Sequence, residues 1–168
     1  MTRTELLNQL KLFTEQATRD FILPVRHQKE DDAPPEPRAA DVYLMRLPDG
    51  TAAMKKAPYI LHQVLTGRDA QPEGDRPTTS TVVRSIFCVY SEDEQEGALW
   101  LLGLIERYRI SLLKKVVLGN QFQLNLQDGL ESMIYPDDTA PYYTGEMVST
   151  WHLPRVEREV NFLGNNEE

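Results

Sequence analysis

The chain has 168 residues, 26 acidic against 18 basic, and a formal net charge of −8. That length suits one domain with a proper core. The acid excess disfavours a protein that wraps nucleic acid, which needs Lys and Arg against phosphates, and one that binds an anionic membrane surface. Cys88 is the only cysteine, so no intramolecular disulfide is possible and secretion gains no support.

The N-terminus is a polar-faced helix with no apolar signal region. Thr2 and Glu5 have capping-box spacing,. Leu6, Leu10, Phe13, Ala17 and Phe21 follow at helical intervals, and Pro24 closes the segment, which predicts a first helix over residues 4–21,. Residues 27–40 hold three prolines, mixed charges and no large apolar side chain. They are expected to be a mobile loop. A Pro-rich ligand for a partner groove, or a segment that orders when a partner docks, are the alternatives.

Short strands are expected over residues 42–47 and 59–66, with Pro48-Asp49-Gly50 as turn chemistry between them,. A second mobile loop is expected over 67–80. Residues 81–90 read as the strongest strand, apolar on both faces in its second half, as a covered central strand should be,. Ser91 and Glu94 repeat the capping-box spacing before a long helix over 92–115,. Acidic residues crowd its start and Arg107, Arg109, Lys114 and Lys115 its end, which matches the helix macrodipole.

Beyond Gly119-Asn120, Phe122, Leu124 and Leu126 alternate with polar residues as a strand with one dry face,. Residues 130–135 and 142–153 are expected to form a hairpin, with Tyr143, Met147, Trp151 and Val148 facing the core and Pro154 closing it,. The tail from 155 to 168 is charged and expected to be partly disordered. The pattern predicts one α+β domain over residues 1–154: a largely antiparallel sheet of five to six strands with two main helices packed on it,.

Candidate chemistry is sparse. His27, His62 and His152 have no second metal ligand at a suitable spacing, and neither HExxH nor paired CxxC occurs,. Each histidine is expected to be solvated or locally hydrogen-bonded. Cys88 sits inside an apolar strand and reads as a small core side chain, not a thiolate nucleophile. Residues 91–96 lack the ligand spacing and turn glycine of an EF-hand, and Asp137 and Asp138 sit in a turn between prolines,. No catalytic, metal or cofactor residue is assigned, and no enzyme is expected.

The long helix is apolar on more than one side. Leu101, Leu102 and Ile105 make one stripe, and Trp100 and Leu104 fall on another. Such a helix needs cover from two directions. The first helix is one candidate for the second cover. A neighbouring subunit is the other, with Trp100 and Leu104 as the interface residues.

Three features carry a resemblance. The strand Ile86-Phe87-Cys88-Val89-Tyr90 enters an acid-started, base-ended long helix. A glycine break and alternating strand follow over residues 117–124. An acidic-aromatic hairpin then runs over 134–154. Together with Ala57-Pro58-Tyr59-Ile60-Leu61, this pattern resembles the tail terminators, or tail completion proteins, of long-tailed bacteriophages and prophages.

The resemblance covers most of residues 57–154. It implies a homo-oligomeric ring, a hexamer, that caps the tail tube protein, ends tail polymerisation and offers the head-joining surface to connector proteins. DNA would only pass through the lumen, and no cofactor, catalysis or membrane is implied. The protein would reside in the cytoplasm of the bacterial host and then in the virion tail. The alternatives are another head–tail joining or neck protein and, from a different class, an acidic inhibitor or immunity-type protein steered by its charge to a basic partner.

Overall fold

A computed structural model describes residues 1–27, 33–48, 56–136 and 140–156. The elements run α1 (Arg3–Thr18), β1 (Asp41–Leu44), β2 (Tyr59–Ala70), β3 (Thr78–Tyr90), α2 (Glu94–Lys115), β4 (Val117–Leu118), β5 (Phe122–Leu124), β6 (Leu130–Ile134) and β7 (Tyr142–Leu153). The sheet order is β1-β2-β3-β7-β5-β4, with β6 also on β7. The α+β class holds. Among the described residues the sheet has seven strands, more than the five to six expected, and it is mixed, because β1 runs parallel to β2. The other pairs are antiparallel.

β3 is the spine. It is paired along its length with both β2 and β7. Its residues alternate between two apolar clusters: Val83, Phe87 and Val89 enter the main core with the helices, and Ile86, Cys88 and Tyr90 enter a smaller cluster with Tyr59, Leu61 and Tyr142. That alternation is the period of two expected of a strand covered on both faces.

Both long helices begin on side-chain caps. Thr2 and Glu5 form the expected capping box on α1,. On α2 the cap differs from expectation: Asp93, not Ser91, accepts from the amides of Gln95 and Glu96, at 2.9 and 3.0 Å. Ser91 Oγ instead accepts from the Asp93 amide. A carboxylate at the N-cap answers the helix dipole as well as the free amides.

Half of the expected loop over 67–80 is strand. β2 continues to Ala70 and β3 starts at Thr78, so only 71–77 connect them. Leu65 to Asp69 are exposed, so no burial alternation marked the extension. The backbone ladder and end contacts hold it instead. Arg3 lies flat over Gly67, where an added Cβ would come within 2.4 Å of its guanidinium, and pairs with Asp69 at 3.3 Å.

Of the loop expected over 27–40, residues 28–32 lie outside the described residues. Arg38 exchanges backbone hydrogen bonds with Leu23, and its guanidinium donates to the carbonyls of Lys56 and Pro58 and pairs with Asp41 at 2.8 Å. In β7, Tyr143, Met147 and Trp151 belong to the core side as expected. Val148 is half-buried and falls on the opposite face. It is paired with Arg84 and Glu131 and stands one residue out of step with Met147.

Helix α2 crosses β7 closely at its first turn. A Cβ at Gly97 would sit 2.1 Å from the Tyr143 ring. Replacing Gly by Ala inside a helix normally gains about 1 kcal/mol. Overpacking against a ring that cannot retreat costs about 1–3 kcal/mol, so the clash should win. Gly97→Ala is expected to lower unfolding free energy in urea titrations. A variant more stable than the wild type would show that α2 stands further from β7.

A candidate interface on the outer face of helix α2

The inner face of α2 is consumed by the fold. Leu101, Leu104, Ile105, Tyr108 and Leu112 are wholly buried against the sheet and α1. This corrects the expectation for Leu104: it is 0% exposed and belongs to the core, not to a subunit contact. Trp100 is half-buried, edge-on to Phe21 at 5.7 Å between ring centroids. The end of α1 and its following turn therefore give α2 part of its second cover. Arg107 completes that corner over the Phe21 ring at 5.3 Å,.

The apolar face left open is made by other residues. Leu99 is 68% exposed, Leu102 43%, Ile110 42% and Leu113 39%. Their spacing of three, eight and three residues keeps them on one side of a 3.6-residue helix. Glu106 fills the middle of that stripe. Arg109 clamps it through two bonds of 2.9 and 2.7 Å, and this pairing holds the Glu106 carboxyl below its usual range. A groove of 340 Å³ lined by Phe21, Glu96, Leu99, Trp100 and Gly103 flanks the stripe. Gly103 shapes it, because a Cβ there would stand 3.0 Å from the Phe21 ring. Only Leu102 of these four was placed on an apolar stripe from sequence, and it was grouped with inward residues. The spacing 99, 102, 110, 113 was readable. Its direction was not, since the whole of residues 98–105 is apolar.

Two reactive side chains, His62 and Cys88, lie elsewhere and are enclosed. His62 is fully buried, with Nε2 2.9 Å from Thr14 Oγ1 and Nδ1 2.8 Å from Ser85 Oγ. Thr14 gives its proton to the Leu10 carbonyl at 2.7 Å, so it accepts from His62 Nε2–H. Ser85 then donates to Nδ1 and accepts, at 3.4 Å, from Tyr108. Every proton in the chain is assigned, and the imidazole is neutral. Burial pushes its pKa down to about 3,. A histidine–serine pair sealed from solvent orders a core and meets no substrate.

Cys88 is also sealed, and burial pushes its thiol up to about 12, far from a thiolate nucleophile. His27 and His152 are exposed. Asp137 and Asp138 lie outside the described residues. Among the described residues no three metal-binding side chains come together. A cleft of 480 Å³ between the start of α1, the tip of the β2–β3 hairpin and the end of β7 has its cation, Arg3, paired with Asp69. The chain matches no protein-family model and none of the curated proteins.

Two outcomes follow. Leu104→Ala should cost about 2–5 kcal/mol, while Leu102→Ala, two positions away on the open face, should stay within about 0.5 kcal/mol. Equal losses in parallel chemical denaturation would contradict this division of the helix.

The second concerns pH. His62 binds a proton in the unfolded chain near pH 6.5 and in the folded chain only near pH 3. Its contribution is therefore complete above pH 6.5 and is lost as pH falls between those values, by up to about 1.4 kcal/mol per unit. His62→Gln should flatten the stability profile between pH 4 and 6. An unchanged slope would remove His62 as its source.

Proposed function

We propose that this chain is a structural protein of a long-tailed bacteriophage: a terminator that caps the tail tube as a ring, ends its polymerisation and offers a surface to the head connector proteins. The sequence pattern over residues 57–154 suggests the class. One structural observation supports it most: the free edges of the sheet are unlike. β1, β4 and β6 each pair with a single strand among the described residues, and β4 is only two residues long. β1 is four residues, parallel to its neighbour, and β6 is five, antiparallel to its own.

Unlike edges are not self-complementary. Seating the β6 edge of one copy on the β1 side of the next is a head-to-tail contact, and such contacts build a ring when the rotation between copies closes and an open filament when it does not. Open edges are usually blunted by charge or proline. β6 carries one charged residue, Glu131, while Met133 and Ile134 are 51% and 40% exposed. The ring number of six comes from the resemblance.

In this reading DNA passes through the lumen without being held. A basic lumen would grip phosphates more tightly with each Lys or Arg engaged. A chain with a net charge of −8 can present carboxylates instead. No helix among the described residues is long and apolar enough to cross a membrane, and a site of work in the host cytoplasm and then the virion tail fits the same reading.

The test uses purified tail tubes and negative-stain microscopy. Added protein should arrest tube elongation and leave a ring at one end. Tubes that keep lengthening, with bare ends, would overturn the proposal. Ser132→Pro sharpens it. The Tyr135 amide donates to Thr144, so by ladder alternation the Ser132 amide faces outward. The substitution should abolish capping while leaving β6 on β7 and the fold intact by circular dichroism.

A further inference from the structure

The geometry points to a second copy of this chain as the occupant of the open α2 face, packed antiparallel about a two-fold axis through Glu106. This goes beyond the ring reading and does not rest on it. A ring closes through head-to-tail contacts, whereas a two-fold pair uses one patch on both copies.

The stripe is symmetric about its own centre. Leu99 and Leu113 lie seven residues either side of Glu106, and Leu102 and Ile110 lie four either side. In an antiparallel pair centred on Glu106, Leu99 therefore meets the partner's Leu113, and Leu102 meets the partner's Ile110. The four apolar residues span about 21 Å of helix at 1.5 Å per residue. Each is more than a third exposed in the single chain, so each has surface to remove from water.

The polar residues obey the same symmetry. α2 starts with Glu94 and Glu96 and ends with Lys114 and Lys115. An antiparallel partner sets the acidic end of each helix beside the basic end of the other. Glu96 and Lys114 lie on the same flank of the stripe, eighteen residues and so five whole turns apart. Each Glu96 thereby faces the partner's Lys114. A parallel pair would instead set like charge against like. At the centre, two Glu106 carboxylates approach one another, and each arrives already neutralised by its own Arg109. The groove beside Leu99, floored at Gly103, is open to a branched side chain from the facing helix.

Cysteine cross-linking tests the axis directly, since the one native thiol, Cys88, is wholly buried. Under mild oxidation Glu106→Cys should link to itself in high yield. Leu99→Cys should link poorly to itself but efficiently to Leu113→Cys in a mixture. Leu12→Cys, exposed on α1, should not link. Light scattering from about 1 to 500 µM, the range expected of a small interface, should show the wild type approaching twice its 19.3 kDa chain mass.

Glu96→Lys and Lys114→Glu should each shift that curve toward monomer. An equimolar mixture of the two should pair again. A wild type that stays monomeric throughout would overturn the inference. So would larger rings insensitive to Leu102→Glu, or cross-linking of Glu106→Cys no greater than that of Leu12→Cys.

Discussion

The structure depends on the second half of β3, Phe87–Tyr90, being dry on both faces. β3 is hydrogen-bonded to β2 and β7, so it has no free edge, and these four side chains are buried above and below. The upper face, with Val83, Phe87 and Val89, is large and takes both helices. The lower face is closed by a smaller cluster of tyrosines around Cys88. Placing α2 over β3 and β7 fixes which of its residues turn inward. Five large side chains fill that face, and an α-helix has no means of turning further apolar residues inward once one arc is used. The open stripe on α2 is thus a consequence of how the helix is seated.

A polar strand runs through the same core. Thr14, His62, Ser85 and Tyr108 join α1, β2, β3 and α2 in one hydrogen-bonded line. Burying such groups without partners costs several kcal/mol. With each donor matched to one acceptor they specify a register, because a slip of one residue would carry His62 to the opposite face, away from Thr14 and Ser85. The neutral histidine belongs to this alignment, and its enclosure removes it from any chemistry with solvent.

Much of this was legible from residues alone. The box Thr2–Glu5, the two-faced strand at 81–90 and the inward Trp151 follow from spacing and alternation. What failed did so for physical reasons. The extensions of β2 and β3 over 67–70 and 78–80 carry Gly, Thr and charge because they are largely open to water, and hydrogen-bond ladders leave no mark in hydropathy. The Ser91–Glu94 spacing pointed to Ser91 as the cap, whereas the backbone geometry puts Asp93 there. Leu104 and Leu102 are equally apolar two positions apart. Which of them faces the sheet depends on where Gly97 lets α2 meet Tyr143, a tertiary contact that no local window contains.

Among the described residues His62 and Cys88 are enclosed, while the outer face of α2 and the β6 edge are exposed, surfaces of the kind that can form contacts with other proteins. The claim that the outer face of α2 is such a contact is tested most directly by methyl NMR on Leu- and Ile-labelled protein over a dilution series. The account predicts concentration-dependent shifts at Leu99, Leu102, Ile110 and Leu113 that follow one binding curve, with Leu101, Leu104, Ile105 and Leu112 unmoved. Shifts confined to Ile134 on the sheet edge, or no shifts at all, would contradict it.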